Sequence, residues 1–91
     1  MIDFEWDKRK AAANLRKHAV TFDEAATIFK DTFAATIVDP DYFESEDRFI
    51  TVGISRMLRL LVVVHTDQGN MCRIISARLS TAQERKRYEE G

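Results

Sequence analysis

The sequence is short of cysteine, proline and glycine, and each shortage excludes something. One cysteine, Cys72, cannot form an internal disulfide. A disulfide-stapled secreted scaffold is therefore excluded, and the cytosol is the natural compartment. The spacing of this cysteine and two isolated histidines contains neither H-x-x-x-H nor C-x-x-C, which argues against zinc. One proline and three glycines leave little room for irregular loops. No GxGxxG, Walker A or nucleophile elbow occurs, so the expectation is no cofactor. The longest apolar run, Leu60 to Val64, is far too short to span a bilayer. The opening "MIDFEWDKRKAAANL" has no apolar h-region, so no secretory signal is expected.

What is present suits one modest globular domain over residues 1–91. The chain is 45% hydrophobic and 32% charged, which excludes disorder of the low-hydrophobicity kind. Net charge is −1, but it is unevenly spread. Residues 1–47 hold six Lys/Arg against eleven Asp/Glu, net −5; residues 48–91 hold eight against four, net +4. Seven of the eight cations in the second half are arginines, whose planar donor fork suits phosphate or carboxylate.

Hydrophobic spacing predicts the order α-α-β-β-β-β-α. "FEW" at 4–6 reads as a short extended segment. Asp7 is placed to cap a helix over Lys8 to His18. Thr21 opens a second helix with Glu24 as its capping-box partner, and Phe22, Ala25, Ala26 and Phe29 form its buried stripe. "FAATIVDPD", "RFITVGIS", "LRLLVVVHT" and "MCRIISA" read as strands, with "YFESED" an acidic connection and "DQGN" a hairpin turn. Ser80 or Thr81 caps a last helix, charged nearly all round, with Gln83 or Glu84 as N3 partner. Consecutive strands with short loops predict an antiparallel four-stranded sheet in a two-layer α+β domain, the helices mainly on one face. The other face is then open to a ligand or partner.

The polar residues falling on this frame are Arg48, Arg59, His65, Arg73 and Arg78 on strands, and Glu84 and Tyr88 one turn apart on the last helix. A metal-independent ribonuclease needs this range of groups. A base removes the 2′-hydroxyl proton, a cation stabilises the phosphorane-like transition state, and an acid protonates the leaving 5′-oxygen. Regular alternation puts Arg73 and Arg78 on opposite faces, because they stand five residues apart. Either Arg78 reaches round to join Arg73 at the scissile phosphate, or Glu84 holds it as a clamp between sheet and last helix. Cys72 reads as a small core residue.

Three stretches, "FEWDKRKAAANLRKHAVTFDEAATIF", "EDRFITVGISRMLRLLVVVHT" and "RIISARLSTAQERKRYEE", resemble the BrnT family of type II toxin–antitoxin toxins in order and spacing. The resemblance implies a RelE-like fold and a ribonuclease that arrests translation by cutting RNA. It also implies a BrnA-type antitoxin with a ribbon-helix-helix DNA-binding domain, so that operator DNA is met only through that partner, and no membrane. The family's polar positions fall on Lys8, His18, Arg48, His65, Arg73, Arg78, Glu84 and Tyr88. The expected catalytic set is Arg48, His65, Arg73, Arg78, Glu84 and Tyr88, with Lys8 and Arg59 as RNA contacts. One departure is Ala19, where the family usually has the Gly that suits a helix C-terminus. The alternative is a non-catalytic module, its arginines meeting an acidic antitoxin segment and the chain acting as transcriptional co-repressor.

Overall fold

The computed structural model describes residues 2–40 and 48–91. The acidic connection "YFESED" lies outside the described residues. The elements are β1 (Asp3–Glu5), α1 (Lys8–His18), α2 (Phe22–Ala26), a 3-10 turn (Thr27–Lys30), β2 (Ala35–Val38), β3 (Arg48–Ile54), β4 (Leu60–Gln68), β5 (Met71–Leu79) and α3 (Ala82–Glu90). The α+β class and the three helices match expectation. The sheet differs: it has five strands, in the order β1-β5-β4-β3-β2, and it is mixed. The added strand is "DFE", which pairs in parallel with β5 along Asp3↔Met71, Phe4↔Cys72 and Glu5↔Arg73. Three residues carry no periodicity of their own, and this strand exists only because β5 offers it an edge.

The helix starts follow their capping side chains. Asp7 Oδ1 accepts from Arg9 N at 2.8 Å and Lys10 N at 3.1 Å, satisfying first-turn donors of α1. Helix α1 closes at Ala19 in the left-handed region, φ 57°, its N–H donating to Leu15 O. Arg16, Lys17 and His18 occupy the last turn, where cations complement the helix dipole. Buried Asn14 fastens α1 to the sheet: its Nδ2 donates to Val20 O and Ala77 O, and its Oδ1 accepts from Ala77 N. In α2 the Phe22 and Ala25 stripe is buried, but the α-helix gives way to the tighter turn at Thr27, whose Oγ1 bonds back to Glu24 O.

The core lies between these helices and one face of the sheet: Val20, Phe22, Ala25 and Ile28 against Leu61, Val63, Ile74 and Ala77. Gly53 permits this closeness, since a Cβ there would stand 3.1 Å from Ile28 O and 3.2 Å from Ala34 Cβ. The β4–β5 hairpin turns at Gly69, φ +58°, as "DQGN" predicts. No helix among the described residues is long and apolar enough to cross a membrane.

Candidate functional site

The β4–β5 ladder decides where the arginines point. Val64 pairs with Ser76, but His65 pairs with Ile74. Ile75 is thus an extra residue, a β-bulge, and the alternation of β5 resets across it. Cys72 and Ile74 before the bulge, and Ala77 after it, all face the helices and are buried. Arg73, Ser76 and Arg78 face the other side, in register with Thr66, Val64 and Val62. Regular alternation would have separated the two arginines. The bulge brings both onto the face away from α1 and α2, where Arg48 of β3 also stands, opposite Thr66 of β4.

The three arginines are held differently. Arg73, with 44% of its side chain exposed, is 3.2 Å from the equally exposed Glu5, its neighbour on β1. Such a surface pair is weak and easily displaced. Arg78 is held firmly: NH1 and NH2 donate to the two Glu84 oxygens at 2.8 and 2.9 Å. This is the clamp between sheet and last helix, a bidentate charge-assisted pair. Glu84 also completes a capping box with Thr81, accepting from Thr81 N while Thr81 Oγ1 accepts from Glu84 N. The Arg78 guanidinium lowers the Glu84 carboxyl to about 2, with smaller help from the Thr81 bonds. Arg48 pairs with Asp39 at 3.2 Å.

Tyr88 is tied away from the arginines. Its hydroxyl donates to Asp31 Oδ2, which also accepts from Ile54 N at 2.8 Å. The Asp31 carboxylate pushes the phenol up to about 12. Neither Glu84 nor Tyr88 is therefore tuned for proton transfer near neutrality.

His65 is not brought to this face. It is 1% exposed and lies on the helix side with Leu61 and Val63, edge-on to Phe29 and stacked with Phe49. Both ring nitrogens are occupied: Nε2 with Thr51 Oγ1 at 2.7 Å, Nδ1 with Asp67 Oδ1 at 2.8 Å. Thr51 in turn meets Thr36 Oγ1 at 2.7 Å. Arg59 is also on the helix side. Its guanidinium is bound to Glu24 through Nε and NH2 and to Ala19 O through NH2. Lys8 opens α1 as an exposed residue beside Asp7, and half-buried His18 ends that helix.

Sequence reasoning missed two anchoring carboxylates. Glu24 serves only half of its capping box: Thr21 Oγ1 accepts from Glu24 N, while the Glu24 carboxylate turns inward to Arg59 and Ser55. Asp31 accepts from Phe33 N two residues on, but its anchoring partners Tyr88 and Ile54 are far away in the chain and gave no signal.

Comparison with known proteins agrees with this architecture. The crystal structure of the Brucella abortus ribonuclease toxin BrnT superposes with TM-score 0.66 at 20% identity, covering 89% of this chain and 99% of that one. No curated protein matches the chain. The family model for the ribonuclease toxin BrnT of type II toxin–antitoxin systems matches residues 6–84. With most of the chain inside that match, from Trp6 through the bulged arginine strand to Glu84, the protein belongs to the BrnT family of ribonuclease toxins.

Proposed function

We propose that the chain is an endoribonuclease that cuts RNA through the 2′-hydroxyl without a metal ion, on the arginine face of the sheet, and thereby arrests translation. The observation that carries this reading is the bulge at Ile75, which turns Arg73 and Arg78 to one side. A strand of RNA is a line of phosphates, and arginines on one face of a sheet suit it. The scissile phosphate goes to Arg73, because only a weak surface pair with Glu5 has to yield. The guanidinium then faces the oxygens on which charge builds in the transition state. Arg78 has the positioning role, since Glu84 already takes both ends of its fork.

The general base is best assigned to Glu5. Its carboxylate stands beside Arg73 and is released toward the substrate when phosphate takes the arginine; it then takes the 2′-hydroxyl proton, the 2′-oxygen displaces the 5′-oxygen at phosphorus, and water protonates the leaving 5′-oxygen. Asp7, whose charge also acts on Arg73, is engaged in capping α1. His65, with both nitrogens bonded on the far side of the sheet, has no part in this scheme, and Arg59 is committed to Glu24.

A type II toxin implies an antitoxin partner. We take that partner to be BrnA-type, contacting operator DNA through its own ribbon-helix-helix domain. The test is Arg73→Ala, with RNA ends mapped after brief induction without antitoxin. Cleavage and growth arrest should disappear while antitoxin binding is retained. Equal toxicity at equal expression would remove Arg73 from the mechanism. The parent should also cut RNA in excess chelator; RNA left intact there, with and without ribosomes, would favour the co-repressor module.

A further inference from the structure

Three side chains with metal-binding atoms converge at the turn end of the β4–β5 hairpin, on the face away from the arginines. His65 and Asp67 are two apart on β4 and so share a side. Cys72 on β5 is the register partner of Asp67 and joins them. A ring nitrogen of His65, an Asp67 carboxylate oxygen and Cys72 Sγ all lie within 4.8 Å of one another, and His65 Nδ1 is 2.8 Å from Asp67 Oδ1. The sequence conceals this set, because H-x-D-x-x-x-x-C becomes a triad only when a hairpin folds it. From this convergence we infer a zinc site, with His65, Asp67 and Cys72 as its three protein ligands.

The surroundings fit that use. Zinc bonds of about 2.0–2.3 Å to N, O and S place tetrahedral ligand atoms about 3.3–3.7 Å apart, so small side-chain shifts suffice. His65 Nε2 is bonded to Thr51 Oγ1, which fixes the ring and leaves Nδ1 turned toward Asp67. An outer hydrogen bond of this kind orients most metal-ligating histidines. A cavity of about 110 Å³, lined by Phe29, Asn70 and Met71 among others, adjoins two of the ligands, Asp67 and Cys72. It offers an entry path and room for a water as fourth ligand. A thiolate in the set disfavours magnesium and calcium and selects a softer ion.

Binding must release a proton. Without metal, burial and then the Asp67 carboxylate push the Cys72 thiol up to about 12, so it enters the site protonated. Zinc takes the thiolate and sends that proton to solvent. The site is across the sheet from Arg73, so the ion bears on hairpin stability and not on phosphodiester cleavage.

The experiment is titration of zinc, and of cobalt as a coloured substitute, into the purified chain after chelation and desalting. Expected are one ion per chain, a cobalt–thiolate charge-transfer band and a raised Tm. Cys72→Ser should abolish the band. Exposed Asp67→Asn, which leaves the core intact, should weaken binding by at least the roughly 10–100-fold typical of lost outer-shell partners. His18→Gln, at the other histidine, should bind like the parent. Absence of saturable binding in the parent would overturn the inference, as would unchanged binding in both Cys72→Ser and Asp67→Asn.

Discussion

Arg59→Met tests whether this arginine serves RNA or the fold. Its carboxylate partner Glu24 is 3% exposed and is bound by the guanidinium through two nitrogens, with Ser55 Oγ adding a bond at 2.7 Å. Methionine keeps much of the stem volume and removes the charge. That leaves a buried carboxylate with one hydroxyl donor. Breaking a buried pair in this way costs about 3–5 kcal/mol, and the partly exposed arginine argues for the lower end, about 3. A domain of this size holds about 5–14 kcal/mol in all. The Tm should fall by roughly 12–24 °C. The loss should also depend on pH. The Arg59 guanidinium holds the Glu24 carboxyl below its ordinary range. The parent thus owns stability that is present above the unfolded carboxyl pKa and is lost as pH falls through the folded one. In the variant, burial without the guanidinium raises that carboxyl, and protonation relieves the unpaired charge. Urea unfolding followed by circular dichroism should give a difference near 3 kcal/mol at pH 7 that shrinks toward pH 4. A difference below about 1 kcal/mol at pH 7, or one unchanged at pH 4, would refute the clamp. An RNA-contact role alone would leave stability nearly untouched.

Ala19→Gly should raise stability by about 1 kcal/mol in the same assay, because φ 57° costs alanine and not glycine; no gain would mean that the C-terminus of α1 is not strained. Tyr88→Phe should remove about 1–2 kcal/mol by deleting the bond to the Asp31 carboxylate. It should also speed amide exchange in α3 above all, and uniform acceleration would contradict a local tether. The Glu84 carboxyl, lowered to about 2, contributes stability that is present above its unfolded pKa and lost as pH falls through about 2. Glu84→Gln should flatten that acid limb of the stability curve, and an unchanged limb would dissociate Glu84 from acid unfolding.

Local chemistry made much of the fold legible. Asp7, Thr21 and Thr81 cap the helices that their positions announce, and "DQGN" turns at its glycine. The apolar run of β4 lies in the middle of the sheet, covered on both faces between Leu60 and Val63. The illegible parts depend on distant partners. β1 needs the edge of β5, and Glu24 obeys its capping rule at the backbone while its side chain answers to Arg59, 35 residues away. His65 follows an apolar run near the end of β4, and nothing beside it in the chain signals its burial. Phe29, Phe49 and Thr51, from elsewhere in the chain, close over it.

The bulge shows how one residue assigns chemistry to a face. Between Arg73 and Arg78, an odd spacing and a regular strand would send one arginine toward the apolar cluster that holds Val20 and Ile28, where the buried Glu24 carboxylate already belongs to Arg59. Burying it there would cost several kcal/mol. Ile75 removes that conflict by taking the extra position, so Ala77 fills the core site and receives the Asn14 bonds while Arg78 turns out to Glu84. The same reset keeps Cys72 and Ile74 on the helix side. The sheet thus separates two sets of polar groups that the sequence interleaves within eight residues of β4 and β5 on either side of the turn: arginines facing outward, and a histidine, an aspartate and a cysteine gathered behind them. A one-residue deletion at Ile75 would exchange the faces on one side of the bulge, which is why both sets depend on it.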